Sequence, residues 1–75
     1  MDGEIILDKS QRRVFDYMET HGFITSLEAI SELGETRLSA RIYELKDKGV
    51  NISYEWMQVL NRYQEKRRVK KYFLG

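Results

Sequence analysis

The chain has no cysteine and no proline, and only one histidine and one tryptophan among its 75 residues. Without cysteine there is no disulfide framework and no thiolate metal site. A reducing cytoplasm is then the expected compartment. One histidine with no cysteine cannot complete a zinc site, so no metal and no other cofactor is expected. Apolar runs stop at three residues, as in Ile5-Ile6-Leu7, far short of a membrane span. The start, Met-Asp-Gly-Glu, has neither the basic residues nor the apolar stretch of a secretion signal. With no proline, repeat or low-complexity stretch, nothing marks a linker, and residues 1–75 read as a single domain. A domain this small buries only about 60% of the surface of its unfolded chain. It has too little core to wall off a deep substrate pocket, which argues against an enzyme. No carboxylate pair points to acid–base chemistry, and no serine has a histidine to activate it.

What is present is a segregated charge. The net charge is +1, yet residues 1–34 carry seven Asp/Glu against Lys9, Arg12 and Arg13. Residues 35–59 are balanced. Residues 60–75 carry Arg62, Lys66, Arg67, Arg68, Lys70 and Lys71 against Glu65 alone. Such segregation says more about partners than the sum does. The basic end is where a polyanion would be held.

Glycines punctuate the chain at Gly22, Gly34 and Gly49. Before the first, residues 1–7 read as an apolar strap. Asp8-Lys9-Ser10-Gln11 then forms a capping box and opens a helix over 8–21, with Val14, Phe15, Tyr17 and Met18 on one face. His21 falls at its end. Phe23-Ile24 is long enough only for a bridge. Thr25-Ser26-Leu27-Glu28 is a second capping box, starting a helix over 25–33 with Leu27, Ile30 and Leu33 inward. A third helix is expected over 35–48, with Leu38, Ile42 and Leu45 within about 60° on its wheel. After Gly49 the period changes to alternation: Val50, Ile52, Tyr54 and Trp56 read as a strand. Asn61–Lys66 is a polar loop, and Arg67–Leu74 a second strand. The hairpin spans 50–74. The expected core is Val14, Phe15, Met18, Leu27, Ile30, Leu33, Leu38, Ile42, Leu45, Ile52, Tyr72 and Leu74.

Two short helices around Leu33-Gly34-Glu35 read as a helix-turn-helix. The tight turn makes them cross steeply, which leaves the far face of the third helix in solvent. A helix projecting in this way fits the DNA major groove. On the wheel Thr36, Ala40, Tyr43 and Asp47 lie at the outer pole and Ser39 on one flank. Arg37, Arg41, Glu44 and Lys48 lie on the other flank. The base-edge candidates are Thr36, Arg37, Ser39, Ala40 and Tyr43, with Arg41 beside them. An arginine can read guanine by two hydrogen bonds, and an alanine can meet a thymine methyl. Alternatively, Arg37 and Arg41 pair with Glu44 on a solvated face. Arg62, Lys66, Arg67, Arg68, Lys70 and Lys71 are the phosphate candidates. Five such contacts would give log affinity a slope of about −4 to −5 in log salt. The same lysines also protect an edge hairpin. Tyr54 and Trp56 read as core or partner-facing aromatics.

Several segments carry a resemblance to a known family: Gly22-Phe23-Ile24-Thr25, Glu28-Ala29-Ile30, Leu33-Gly34, Arg37-Leu38-Ser39-Ala40-Arg41-Ile42, Leu45, Gly49, Ile52 and Tyr72-Phe73-Leu74. Together they resemble the small winged helix-turn-helix proteins of phages and other mobile elements, over residues 8–74. The resemblance implies an α+β winged helix with three helices and a C-terminal two-stranded wing. It implies double-stranded DNA as partner, with the third helix in the major groove, and a role as transcriptional regulator or architectural factor. Winged helices also serve as protein-interaction modules. Here the acidic first half, Glu35 and the strand aromatics offer a protein partner, such as a host factor, a surface to dock on. The oligomeric state stays open; sequence-specific binding by one short helix calls for a dimer or a cooperative array.

Overall fold

The first two helices each open on a capping box. A computed structural model describes residues 6–75, with α1 at Lys9–His21, α2 at Ser26–Leu33 and α3 at Leu38–Asp47. Ahead of α1 the Asp8 carboxylate accepts from the Gln11 amide at 2.9 Å, and Gln11 Oε1 accepts from the Asp8 amide at 3.2 Å. Ahead of α2 the Glu28 carboxylate takes the Thr25 amide at 2.9 Å and the Thr25 hydroxyl as well. Both boxes act as their spacing predicts. Of the expected strap, residues 1–5 lie outside the described residues; Leu7 packs against the core.

The start of α3 differs from the expectation. It lies at Leu38, three residues later than the expected Glu35, with Arg37 as the capping residue. The reason is the exit from α2. Gly34 takes the left-handed conformation at φ +67°, which costs a glycine little. That turn lets the Gly34 amide donate to the Ile30 carbonyl at 3.1 Å, the bond of a left-handed cap, and the Glu35 amide to the Ala29 carbonyl at 2.8 Å. The Glu35 carboxylate then accepts from the Arg37 amide at 3.1 Å. Residues 35–37 are therefore spent on leaving α2 and form no first turn of α3.

The core corrects a second expectation. Val14, Met18, Ile24, Ala29, Leu38, Ile42, Leu45 and Ile52 are buried, and Phe15, Leu33, Tyr72 and Leu74 pack against them partly exposed. Leu27 and Ile30 do not join them: they are 55% and 52% exposed. The inward face of α2 is Ala29 with Leu33, one turn apart, not Leu27 with Ile30. A small residue at the contact lets an eight-residue helix approach the other two closely. Ile24 takes the vacated core position. It exchanges two backbone hydrogen bonds with Tyr72, both at 2.9 Å.

That bridge roots the hairpin. Strand β1 (Ile52–Leu60) pairs antiparallel with β2 (Lys66–Leu74), from Ile52 opposite Leu74 to Leu60 opposite Lys66. The connection is residues 61–65. There the Asn61 side chain accepts from the Tyr63 and Glu65 amides at 2.8 and 3.0 Å, and Gln64 adopts φ +65°. Ile52 is buried at the root, but the outer half of both strands has no helix beneath it. The molecule is accordingly drawn out to 51 × 22 × 20 Å. Among the described residues no helix is long and apolar enough to cross a membrane.

Candidate nucleic-acid interface

The outer ridge of α3 is bare at its beginning and middle. Thr36, Arg37 and Ser39 are exposed, Ala40 is half-buried, and Tyr43 is 72% exposed. Thr36 belongs to the turn ahead of the helix, not to the helix itself. The Arg37 backbone is held by Glu35, and among the described residues its guanidinium takes part in no ion pair.

Arg41 is placed differently. Its Nη1 meets Glu44 Oε1 at 2.9 Å, and its Nε lies 3.9 Å from Glu35 Oε2. Glu44 in turn accepts from the Gln11 side-chain amide at 2.8 Å, while Lys48 donates to Gln11 Oε1 at 2.6 Å and to the Ile6 carbonyl at 2.9 Å. This flank of α3 is turned onto α1. The pairing of Arg41 with Glu44, one of the two readings open from the sequence, is what the structure holds. The network of five side chains is not legible in the sequence. Its one visible signal was Arg41, Glu44 and Lys48 sharing a flank; that Gln11 would reach them needs the α1–α3 packing.

The basic hairpin residues divide between the two faces of the sheet. Lys66, Arg68 and Lys70 share the face of Trp56 and Tyr54; Arg67 and Lys71 share the other. On the second face Arg67 is paired with Glu65 at 3.1 Å, and Lys71 stands opposite Glu55 with its ammonium 4.9 Å from the Phe23 ring. On the first, the Arg68 guanidinium lies 4.7 Å from the Trp56 ring centre and the Lys70 ammonium 4.4 Å from that of Tyr54. Arg62 is exposed in the loop. The first face looks across a cleft of about 330 Å³ at the beginning of α3, lined by Thr36, Leu38 and Ser39 opposite Trp56, Arg68 and Lys70.

A helix-turn-helix with its third helix bared beside a basic hairpin is one arrangement, and a family model matches it across residues 9–75, described as a winged helix-turn-helix domain. The chain belongs to that family. Comparison with curated proteins and with solved structures returns no match. The winged helix-turn-helix is a DNA-binding fold, and the hairpin 52–74 is its wing. In this winged helix the sequence pattern placed Tyr54 and Trp56 on one face but could not say which cations join them. That follows only from the strand register.

A second groove, about 270 Å³, is lined by Arg13, Tyr17 and His21 of α1 and Leu33 of α2, among others. The His21 ring rests 4.2 Å from that of Tyr17. The Tyr17 hydroxyl is held above the usual tyrosine range, first by desolvation and then by the carboxylates of Glu28 and Glu32. Among the described residues no cluster of three or more metal-ligating side chains occurs.

Proposed function

We propose that this winged helix binds double-stranded DNA with the Thr36–Tyr43 ridge of α3 in the major groove and the cationic face of the wing along the phosphate backbone. One observation carries the reading. The cleft at the start of α3 brings three hydroxyls, Ser26, Thr36 and Ser39, opposite two cations, Arg68 and Lys70, that take part in no ion pair among the described residues. Hydroxyls and cations are the groups that hold phosphates, and a ridge beside them reads base edges. Arg37 stands at the mouth of this cleft's helix with its guanidinium available to guanine. Lys66 and Arg62 extend the cationic track outward. Arg67 and Lys71 lie on the far face and contribute less.

The role that fits is a transcriptional regulator or an architectural factor, and the resemblance carried by Arg37–Ile42 sets it beside phage and mobile-element proteins. One short helix covers few base pairs, so regulation at a defined site takes a dimer or a cooperative array.

The test is a salt titration of binding to random duplex. Four cations on phosphate, Arg62, Lys66, Arg68 and Lys70, predict a slope of about −3 to −4 in a log–log plot. Absence of duplex binding at low salt would overturn the reading. It would leave the second one, a protein-interaction module, which the exposed Leu27 and Ile30 of α2 favour.

A further inference from the structure

The wing face that carries Lys66, Arg68 and Lys70 holds more than a duplex backbone requires. Running from Ile52 to Leu60 at every second residue, with partners Leu74 to Lys66, it bears three cations, three aromatic rings and no carboxylate. The opposite face carries Glu55 and has its cations beside acidic groups. Phosphates on a duplex exterior are held by cations and hydrogen-bond donors, with no need of stacked rings. Tyr54 and Trp56 are each 49% exposed, and a paired duplex offers such rings nothing to stack on, because its bases are turned inward.

The rings are also held in place. Trp56 stands edge-on to Tyr54 at 6.2 Å, and Tyr54 leans on Tyr72 at 6.3 Å. Arg68 and Lys70 flank the pair from β2. An ordered aromatic with cations beside it is the arrangement that binds unpaired bases, by stacking and by contact with their phosphates. The face begins at the cleft beside α3, where the duplex would end. From Trp56 at the cleft it runs outward to Leu60, about 14 Å.

We infer that the Tyr54–Trp56 face of the wing holds unpaired DNA bases, so that the preferred ligand is a junction where a duplex on α3 continues into a single strand along the wing. This deepens the duplex-binding reading and rests on it.

Trp56 is the one tryptophan in the chain, so its fluorescence reports the contact directly. The experiment titrates the full chain with a blunt duplex and with the same duplex carrying a single-stranded DNA overhang. One stacked base is worth about tenfold in affinity. The expected result is therefore at least that preference for the overhang, with Trp56 quenched by the overhang and little affected by the blunt duplex. Trp56→Ala should bring the overhang affinity down to that of the duplex, and Tyr54→Ala should lower the preference in part. Circular dichroism and the Tm of each variant check that the wing still folds. Equal affinity for the two ligands, equal quenching by both, or an equal loss on both in Trp56→Ala would overturn the inference while duplex binding stands. An overhang of RNA bound more tightly than one of DNA would overturn the assignment to DNA. Absence of binding to either ligand would sink the duplex reading with it.

Discussion

The Gln11 side chain joins two helices: its amide donates to Glu44 Oε1 at 2.8 Å, across 33 residues of sequence. Gln11 is only 4% exposed, and its carbonyl oxygen also accepts from the Asp8 amide and the Lys48 ammonium. One residue thus closes the cap of α1 and fixes the flank of α3 that faces it. Gln11→Ala removes all three bonds and leaves Glu44 and Lys48 short of partners in a part-buried site. The expected loss is about 2 kcal/mol in stability, read from urea denaturation. A loss under about 0.5 kcal/mol would mean that water replaces the side chain at no cost.

Leu27→Ser and Ile30→Ser should barely change the Tm. Both side chains are more than half exposed, and surface substitutions of this kind stay within about 0.5 kcal/mol. Ile24→Ala and Leu45→Ala, at fully buried positions, should cost roughly 2–5 kcal/mol each. Equal costs for the two pairs of substitutions would return Leu27 and Ile30 to the core.

That contrast also measures what the sequence alone discloses. The capping boxes at Asp8 and Thr25 depend on contacts three residues apart, so the starts of α1 and α2 are legible locally. The stripe of α2 is not: in an eight-residue helix Leu27/Ile30 and Ala29/Leu33 are both apolar faces, and only the approach of α1 and α3 chooses between them. The start of α3 is hidden for a related reason. Glu35, Thr36 and Arg37 suit a first helical turn, but Gly34 and the Ala29 carbonyl claim them for the exit of α2. At the candidate site, exposure of Ser39 and Tyr43 follows from the wheel, while Thr36 is exposed in the turn ahead of the helix. The loss of Arg41 to Glu44, and the division of the wing cations between two faces, depend on partners distant in sequence.

Arg37 and Arg41, four residues apart, should therefore part company on mutation. Arg37→Ala is expected to leave the Tm in place and to weaken binding by about 1–3 kcal/mol at a guanine-bearing site, with relaxed preference at one base position. Arg41→Ala leaves Glu35 and Glu44 without their shared cation, and should cost about 1 kcal/mol of stability while keeping the sequence preference. Selection from a random duplex pool, run on both variants, separates the two. Relaxed preference from Arg41→Ala in place of Arg37→Ala would reverse the roles.

Tyr17 gives the α1–α2 groove an alkaline signature. Its hydroxyl titrates above the usual tyrosine range because of desolvation and the carboxylates of Glu28 and Glu32. The folded state therefore favours the protonated form. The associated stability is fully present below the ordinary tyrosine pKa, about 10, and is lost as pH rises through the higher folded value. Tyr17→Phe has no proton to lose, so the gap in Tm between variant and wild type should shift in favour of the variant above pH ~10. A gap that stays constant across that range would show that neither desolvation nor the carboxylates of Glu28 and Glu32 raise the hydroxyl.

The wing offers a sharper electrostatic experiment, because its two faces carry cations of unequal freedom. Arg68 and Lys70 border the cleft beside α3 against aromatic rings and, among the described residues, in no ion pair, whereas Arg67 already meets Glu65 and Lys71 faces Glu55. A cation that binds phosphate releases counterions; one already beside a carboxylate releases fewer. The double substitution Arg68→Ala/Lys70→Ala should therefore reduce the salt slope of duplex binding by about 2, close to one per residue. Arg67→Ala/Lys71→Ala removes the same formal charge and should reduce it by less than about 1. Net charge alone predicts equal reductions. Matched slopes from the two double variants would thus dissolve the distinction between the faces, and a larger change from Arg67/Lys71 would put the DNA on the opposite side of the sheet from the cleft.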